Sequence, residues 1–186
     1  MNILLDQVLE EHIAVVKKLS TIENDILTSG ELMISALKNG NKILIAGNGG
    51  SAADAQHFAA ELTGRFLKER QSLPAIAITT DSSALTAISN DYGYNNVFKR
   101  QVSGLANPGD VFIGISTSGN SDSINIAADY CIDNGVASIG LLGRTGGAAA
   151  SIFNNNVVVP SDVTANIQEC HILIIHIWCM MIDEAF

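Results

Sequence analysis

Four polar residues carry the chemistry this sequence can support. His57 and Glu61 lie in one helical stretch, and Gln168 and His176 in another more than a hundred residues later. Residues four apart stack on one helix face, and residues eight apart lie two turns on and still on the same side. Two of the chain's four histidines belong to these sets. His176 is embedded in Ile172-Leu173-Ile174-Ile175-His176-Ile177-Trp178, where an imidazole without a partner would be costly. If the fold brings the helices together, two imidazoles, a carboxylate and an amide converge. That suffices for a metal site, an acid–base pair, or both. The plainer readings are a surface pair for His57 and Glu61 and a carbonyl-bonded core histidine for His176. His171 falls on another side of its helix and His12 is remote, so both read as structural.

Two turns could hold a ligand beside these groups. Three consecutive hydroxyls, Ser116, Thr117 and Ser118, follow an apolar strand, and Gly119, Asn120 and Ser121 lead into a helix. Backbone amides and the positive end of a helix dipole make such a turn an anion site. The hydroxyls of Ser116, Thr117, Ser118 and Ser121 would add neutral donors to phosphate oxygens. The competing reading is an ordinary capped helix start. No P-loop lysine is present, so triphosphate hydrolysis is not suggested. The second turn, Gly47-Asn48-Gly49-Gly50-Ser51-Ala52, superficially matches a dinucleotide fingerprint, but the acidic residue expected about 20 residues on is missing. Close approach of backbone to a polyhydroxylated or phosphorylated ligand explains the glycines as well. Asn90 and Asp91, after a short helical segment, read either as an Asx turn or as contacts to sugar hydroxyls. Arg65 is the lone cation near the end of the Glu61 helix; it reads as a dipole contact or a ligand contact.

The elements that must position these residues follow from periodicity. Helices are predicted over about 3–20 and 24–39, the second ending at Gly40-Asn41. Short apolar strands are predicted at 42–46, 73–79, 110–116, 136–142 and 156–160. Helical segments lie between them, one running from the 47–51 turn to about Phe66, and a last helix covers about 163–184. This alternation predicts an α/β fold: a five-stranded parallel sheet with helices on both faces. Ligands in such sheets sit at the carboxyl ends of the strands, where the strand order reverses. One domain over 1–186 is expected, with 1–40 an N-terminal helical pair suited to oligomerisation and 41–186 the α/β core.

Composition narrows the class. Of 186 residues, 47% are hydrophobic and 16% charged, a balance for a folded chain with much buried or interfacial surface. Net charge is −9 without a Lys/Arg-rich stretch, so nucleic acid is not expected as a partner. Cys131, Cys170 and Cys179 lack metal-ligand spacing and read as reduced, buried thiols of a cytosolic protein. The stretch from Met1 to Asp6 lacks a basic run and a continuous apolar run, so no signal peptide is expected. The apolar run 172–182 is too short for a bilayer that needs roughly 20 residues, and reads as a buried or interfacial helix.

Together these stretches resemble the sugar isomerase (SIS) domain family. The resemblance rests on Gly47-Asn48-Gly49-Gly50-Ser51, residues 54–66, 78–98, 114–121 and 167–176, and more narrowly points to phosphoheptose isomerases. It implies a flavodoxin-like sheet, a cytoplasmic homotetramer with active sites between subunits, and conversion of sedoheptulose 7-phosphate to D-glycero-D-manno-heptose 7-phosphate toward lipopolysaccharide or capsule. Position by position, His57, Glu61, Gln168 and His176 match the family's zinc ligands, one zinc per subunit. Glu61 also matches the catalytic base and His176 the acid. Asn48, Gly49, Gly50, Ser51, Glu61, Arg65, Asn90, Asp91, Ser116, Thr117, Ser118, Ser121 and Gln168 match substrate-binding positions. Asn166 departs from the arginine that relatives commonly carry before the Ile-Gln pair.

The residue types suit the reaction independently of the name. Aldose–ketose isomerisation needs a carboxylate base near one carbon and an acid or metal to polarise the carbonyl. A zinc-bound carboxylate is a poorer base, so Glu61 either shifts between metal and proton or leaves the metal to other groups; a fully ligated zinc could also be structural. Rival readings are a non-catalytic SIS-like module, binding a replication initiator or sensing a sugar phosphate, and an isomerase of another ketose phosphate.

Overall fold

The computed structural model describes residues 2–186, with side chains from Leu4 onward. Met1 and the side chains of Asn2 and Ile3, part of the stretch read as carrying no signal peptide, lie outside it. The chain runs α1 (Asn2–Lys18), a 3-10 turn (Leu19–Ile22), α2 (Glu23–Lys38), β1 (Ile43–Gly47), α3 (Gly50–Thr63) and β2 (Ala75–Ala77). It continues through α4 (Ser82–Tyr92), α5 (Val97–Leu105), β3 (Val111–Ser116), α6 (Asp122–Asp133), β4 (Ala137–Gly143), β5 (Asn155–Val159) and α7 (Thr164–Ala185).

The five strands form one parallel sheet in the order β2-β1-β3-β4-β5. That is the flavodoxin-like order, and it reverses between β1 and β3. Alternation along the strands splits the core in two. Ile43, Ile45, Val111, Ile113, Ile115, Ile139, Leu141, Val157 and Val159 pack with α2, α3 and α7 on one face. Leu44, Ala46, Phe112, Leu142 and Val158 pack with α5 and α6 on the other. The expected fold class is therefore the one observed.

Two boundaries differ from the sequence reading. The predicted strand 73–79 shrinks to β2, because Pro74 has no amide to give a ladder and only its carbonyl is used, by the Ile43 amide at 3.0 Å. β2 is an edge strand, and its Ile76 is exposed. Asn90 and Asp91 do not form an Asx turn after a helix; α4 continues through Tyr92 and includes both.

α2 belongs to the core, burying Ile26, Met33, Ala36 and Leu37. α1 instead leaves Leu4, Leu5, Val8, Leu9 and Ile13 exposed. By length and composition α7 is long and apolar enough to cross a membrane, longer than its apolar run alone suggested, but half of that stretch is buried within the chain. All three cysteines are free and buried, as expected, and burial pushes the Cys131 and Cys179 thiols up to about 12.

His171 is fully buried on α7, and its Nε2–H donates to the Leu142 carbonyl at 2.9 Å. Burial lowers its pKa from 6.5 to about 4, only partly offset by that bond. The folded chain therefore prefers neutral His171, while the unfolded chain takes up a proton once the pH drops below 6.5. Stability should fall from pH 6.5 to about 4, by at most about 1.4 kcal/mol per pH unit from this group. Thermal unfolding over that window should show a flatter pH dependence in His171→Gln; an unchanged slope would remove His171 as the cause.

Candidate active site

α3 and α7 lie side by side on one sheet face and run in step. A Cβ on Gly50 would come within 2.5 Å of the Gln168 Nε2, so the bare glycine is what admits Gln168 at the start of α3. Two turns further on, His57 Nε2 meets His176 Nε2 at 3.1 Å. One residue beyond His57 and two beyond His176, the Phe58 and Trp178 rings stack with centroids 5.9 Å apart. Past the end of α3, Asp183 accepts the amides of Leu67 (2.8 Å) and Lys68 (2.9 Å) and pairs with Arg70 Nε (2.9 Å).

Arg70 is buried with Asp183, and it also donates to the carbonyls of Leu62 (2.9 Å) and Glu61 (2.8 Å). Those carbonyls belong to the last turn of α3, which a helix otherwise leaves unpaired. Burial alone would raise the Asp183 carboxyl; the amides of Lys68 and Leu67 and the Arg70 guanidinium outweigh it and hold the group below the usual carboxylate range. The backbone on which Glu61 is mounted is thus anchored from α7.

The site itself forms around His57. Its Nε2 lies 3.3 Å from Glu61 Oε1, four residues on along the same helix. The ring of His176 is stacked on Phe66 at 5.3 Å, which fixes its plane. His57 and His176 face each other through Nε2 atoms, so one carries the proton or both lone pairs point at a cation. The separations of 3.1 and 3.3 Å suit ligands on a tetrahedral zinc, whose bonds of about 2.0–2.1 Å place neighbouring donors about 3.3 Å apart. No three His, Cys, Asp or Glu side chains among the described residues already surround one point; the contacts run pairwise through His57.

The ligand turns open at the carboxyl ends of β1 and β3, on either side of the strand-order reversal. A Cβ on Gly47 would collide with the Ser51 carbonyl, so glycine lets α3 begin directly against the end of β1. In the second turn Ser121 is the residue before α6, yet its hydroxyl makes no cap hydrogen bond. It lies 3.2 Å from the Ser116 hydroxyl instead. The capping alternative is therefore not what the Ser121 side chain does. Ser116 Oγ accepts the Gly119 amide and Ser118 Oγ the Asn120 amide, both at 3.1 Å, which holds the turn in shape.

Peripheral positions are more exposed. Arg65 lies 3.6 Å from Glu69 and donates to the Phe66 carbonyl at 3.4 Å. The Asn90 amide donates to the Asp91 carboxylate at 2.8 Å, and both residues are exposed. Asn166 is buried at the first turn of α7 and brings no charge there. His12 pairs with Glu169 at 2.7 Å, linking α1 to α7 away from the His57 contacts.

Several residues at the site escaped the sequence reading. Asp54 sits one turn before His57, with a buried Oδ2 that has no hydrogen-bond partner. Burial raises its carboxyl above the ordinary value, against the pull of the His57 imidazole. Its i−3 spacing from His57 was the available signal. Ser123 Oγ accepts from the Asn48 side-chain Nδ2 at 3.1 Å, and the Tyr94 hydroxyl donates to the Asn48 side-chain Oδ1 at 2.6 Å. No spacing rule links these three positions.

Gly50→Ala tests whether Gln168 must occupy its present place. Alanine favours the helix by about 1 kcal/mol, so the thermal midpoint should hold or rise. Displacing Gln168 should lower turnover by roughly a hundredfold, the cost of a shift of about 1 Å in a reacting constellation. Unchanged turnover in a folded Gly50→Ala protein would remove Gln168 from the site.

This architecture has counterparts among known proteins. The SIS domain family model matches residues 8–143. The phosphoheptose isomerase of Campylobacter jejuni subsp. jejuni serotype O:6 is 52% identical over 183 residues, covering 98% of each chain. A solved phosphoheptose isomerase from Neisseria gonorrhoeae superposes with a TM-score of 0.92 at 45% identity, covering 97% of each chain. Another from Francisella tularensis gives 0.93 at 38% identity, over 97% of this chain and 96% of that one. The chain belongs to the SIS domain family and, within it, to the phosphoheptose isomerases.

Proposed function

We propose that this sugar-phosphate isomerase of heptose biosynthesis converts sedoheptulose 7-phosphate to D-glycero-D-manno-heptose 7-phosphate by enediol proton transfer. The carrying observation is that His57 meets both Glu61, at 3.3 Å, and His176, at 3.1 Å, where α3 packs against α7. The turn's amides and the hydroxyls of Ser116, Thr117, Ser118 and Ser121 take the phosphate. Asn48, Gly49, Gly50, Ser51, Arg65, Asn90, Asp91 and Gln168 take the sugar chain.

Glu61 removes the proton from C1 of the ketose as His176 gives a proton to the C2 carbonyl oxygen. The C1–C2 double bond of the enediol forms. The O1 hydroxyl then returns its proton to His176, the C1 carbonyl forms, and Glu61 delivers its proton to C2. No atom or electron is gained or lost. His57, Glu61, Gln168 and His176 have the donor types that would hold a zinc, and the separations of 3.1 and 3.3 Å about His57 fit His57, Glu61 and His176 as neighbouring ligands. When bound, the metal supplies Lewis-acid polarisation of the substrate oxygen.

The product of this reaction feeds activated heptose for lipopolysaccharide or capsule, in the cytoplasm. A homotetramer with active sites between subunits accounts for the exposed apolar residues of α1 and for the half-exposed rim of the site, where His57 remains 41% accessible within one chain. Light scattering on the purified protein should give four times the chain mass, and a monomer would refute that assembly.

Purified protein with sedoheptulose 7-phosphate in deuterated buffer should place deuterium at C2 of the product, as NMR would show. Glu61→Gln should keep its circular dichroism spectrum and lose roughly a hundred- to ten-thousand-fold in kcat. Chelation followed by added zinc should remove and restore activity. Full turnover by Glu61→Gln would sink the mechanism, whereas deuterium at C2 would exclude a direct hydride shift from C1.

A further inference from the structure

We propose that Tyr94 is a positioning residue for the sugar phosphate, acting through Asn48. This rests on the reading above that Asn48 touches the substrate. Asn48 follows β1, and its half-buried side chain is held from two sides. Tyr94 donates its hydroxyl to Oδ1 at 2.6 Å, and Nδ2 donates to the buried Ser123 hydroxyl at 3.1 Å. Tyr94 lies in the 3-10 turn Tyr94–Asn96 after α4, and Ser123 in the first turn of α6. The three hydrogen-bonded residues thus tie together the segments that follow β1, β2 and β3.

Those segments surround the crevice where the strand order reverses, which is where a ligand of this sheet type sits. A second bond parallels the first: Asn95 Nδ2 donates to Asp122 at 3.2 Å, fastening the same turn to the start of α6. Asn90 and Asp91 lie in the last turn of α4, only a few residues before Tyr94, so the clasp on Asn48 also fixes their end of the crevice.

The consequence is chemical. Ser123 takes one of the two Asn48 amide hydrogens and Tyr94 one of its two carbonyl lone pairs. What remains for a ligand is one donor and one lone pair in a set direction. Without the Tyr94 hydroxyl the amide keeps a single tether and must be ordered by the substrate itself, a cost paid on binding. The Tyr94 ring is about half exposed, so the hydroxyl can be removed without opening the core.

Tyr94→Phe deletes that one atom. With sedoheptulose 7-phosphate, KM should rise about three- to tenfold, the range for losing one hydrogen bond. kcat, the pH–rate profile and the thermal midpoint should stay unchanged. A purely structural role would move the thermal midpoint or kcat and would not produce this split. In an Asn48→Ala background, which should itself lower kcat/KM, Tyr94→Phe should have no further effect.

If Asn48→Ala is impaired and Tyr94→Phe is silent, the positioning role is wrong and the assignment of Asn48 stands. If Tyr94→Phe costs the same in both backgrounds, Tyr94 does not act through Asn48, which also overturns the proposal. If Asn48→Ala turns over normally, the assignment of Asn48 itself falls, and the positioning role with it.

Discussion

The in-step packing of α3 against α7 is the constraint on which the site depends. Neither helix holds a complete reactive set, and the contacts that align them come at four levels. Gln168 sits over bare Gly50, His176 meets His57, Trp178 stacks on Phe58, and Asp183 gathers the chain after α3. A slip of one residue along either helix would rotate its reactive groups by about 100° and dissolve every pair at once. The buried Arg70–Asp183 pair resists such a slip at the far end. Breaking it would leave a charge buried without compensation, at a cost of roughly 3–5 kcal/mol.

The rest of the fold supplies this packing with a rigid floor. Both helices lie on the face of the sheet lined by Ile43, Ile45, Ile113, Ile115, Ile139 and Leu141. Parallel strands deliver each chain segment to the same edge, so the turns after β1 and β3 end beside the α3–α7 contact. Small residues are used where two backbones must meet, and hydroxyls where a turn must hold its shape while still offering donors. The architecture separates the two sets: His57, Glu61 and His176 lie on helices of one sheet face, and the glycine- and serine-rich turns lie at the carboxyl edge.

The polar centre is only half-enclosed within one chain, and α1 presents an apolar face to its surroundings. A proton-transfer site works best away from bulk water, because low dielectric strengthens each fixed charge and dipole.

Helical spacing made the contact of His57 with Glu61 legible in the sequence and put Gln168 and His176 on the side of α7 that faces α3, and the serine-rich turn announced itself by following an apolar strand. The strand–helix alternation gave the sheet, since apolar runs bounded by glycine turns have few other uses in a chain of this composition. Local rules erred where a local detail ruled the outcome. Pro74 cut short a strand that hydrophobicity alone extends, and α4 ran on through Asn90 and Asp91. Asp54 was overlooked although its spacing was visible. Contacts such as Arg70 with Asp183, or Tyr94 with Asn48 and Ser123, had no signal, because residues 46 to 113 positions apart share no periodicity. By itself, then, the sequence determined which helix faces are polar, where strands give way to glycine- and serine-rich turns, and which residue types are available for chemistry. Only the tertiary structure decided which faces meet and what holds them in register, because that follows from side chains packing across the sheet and not from neighbours along the chain.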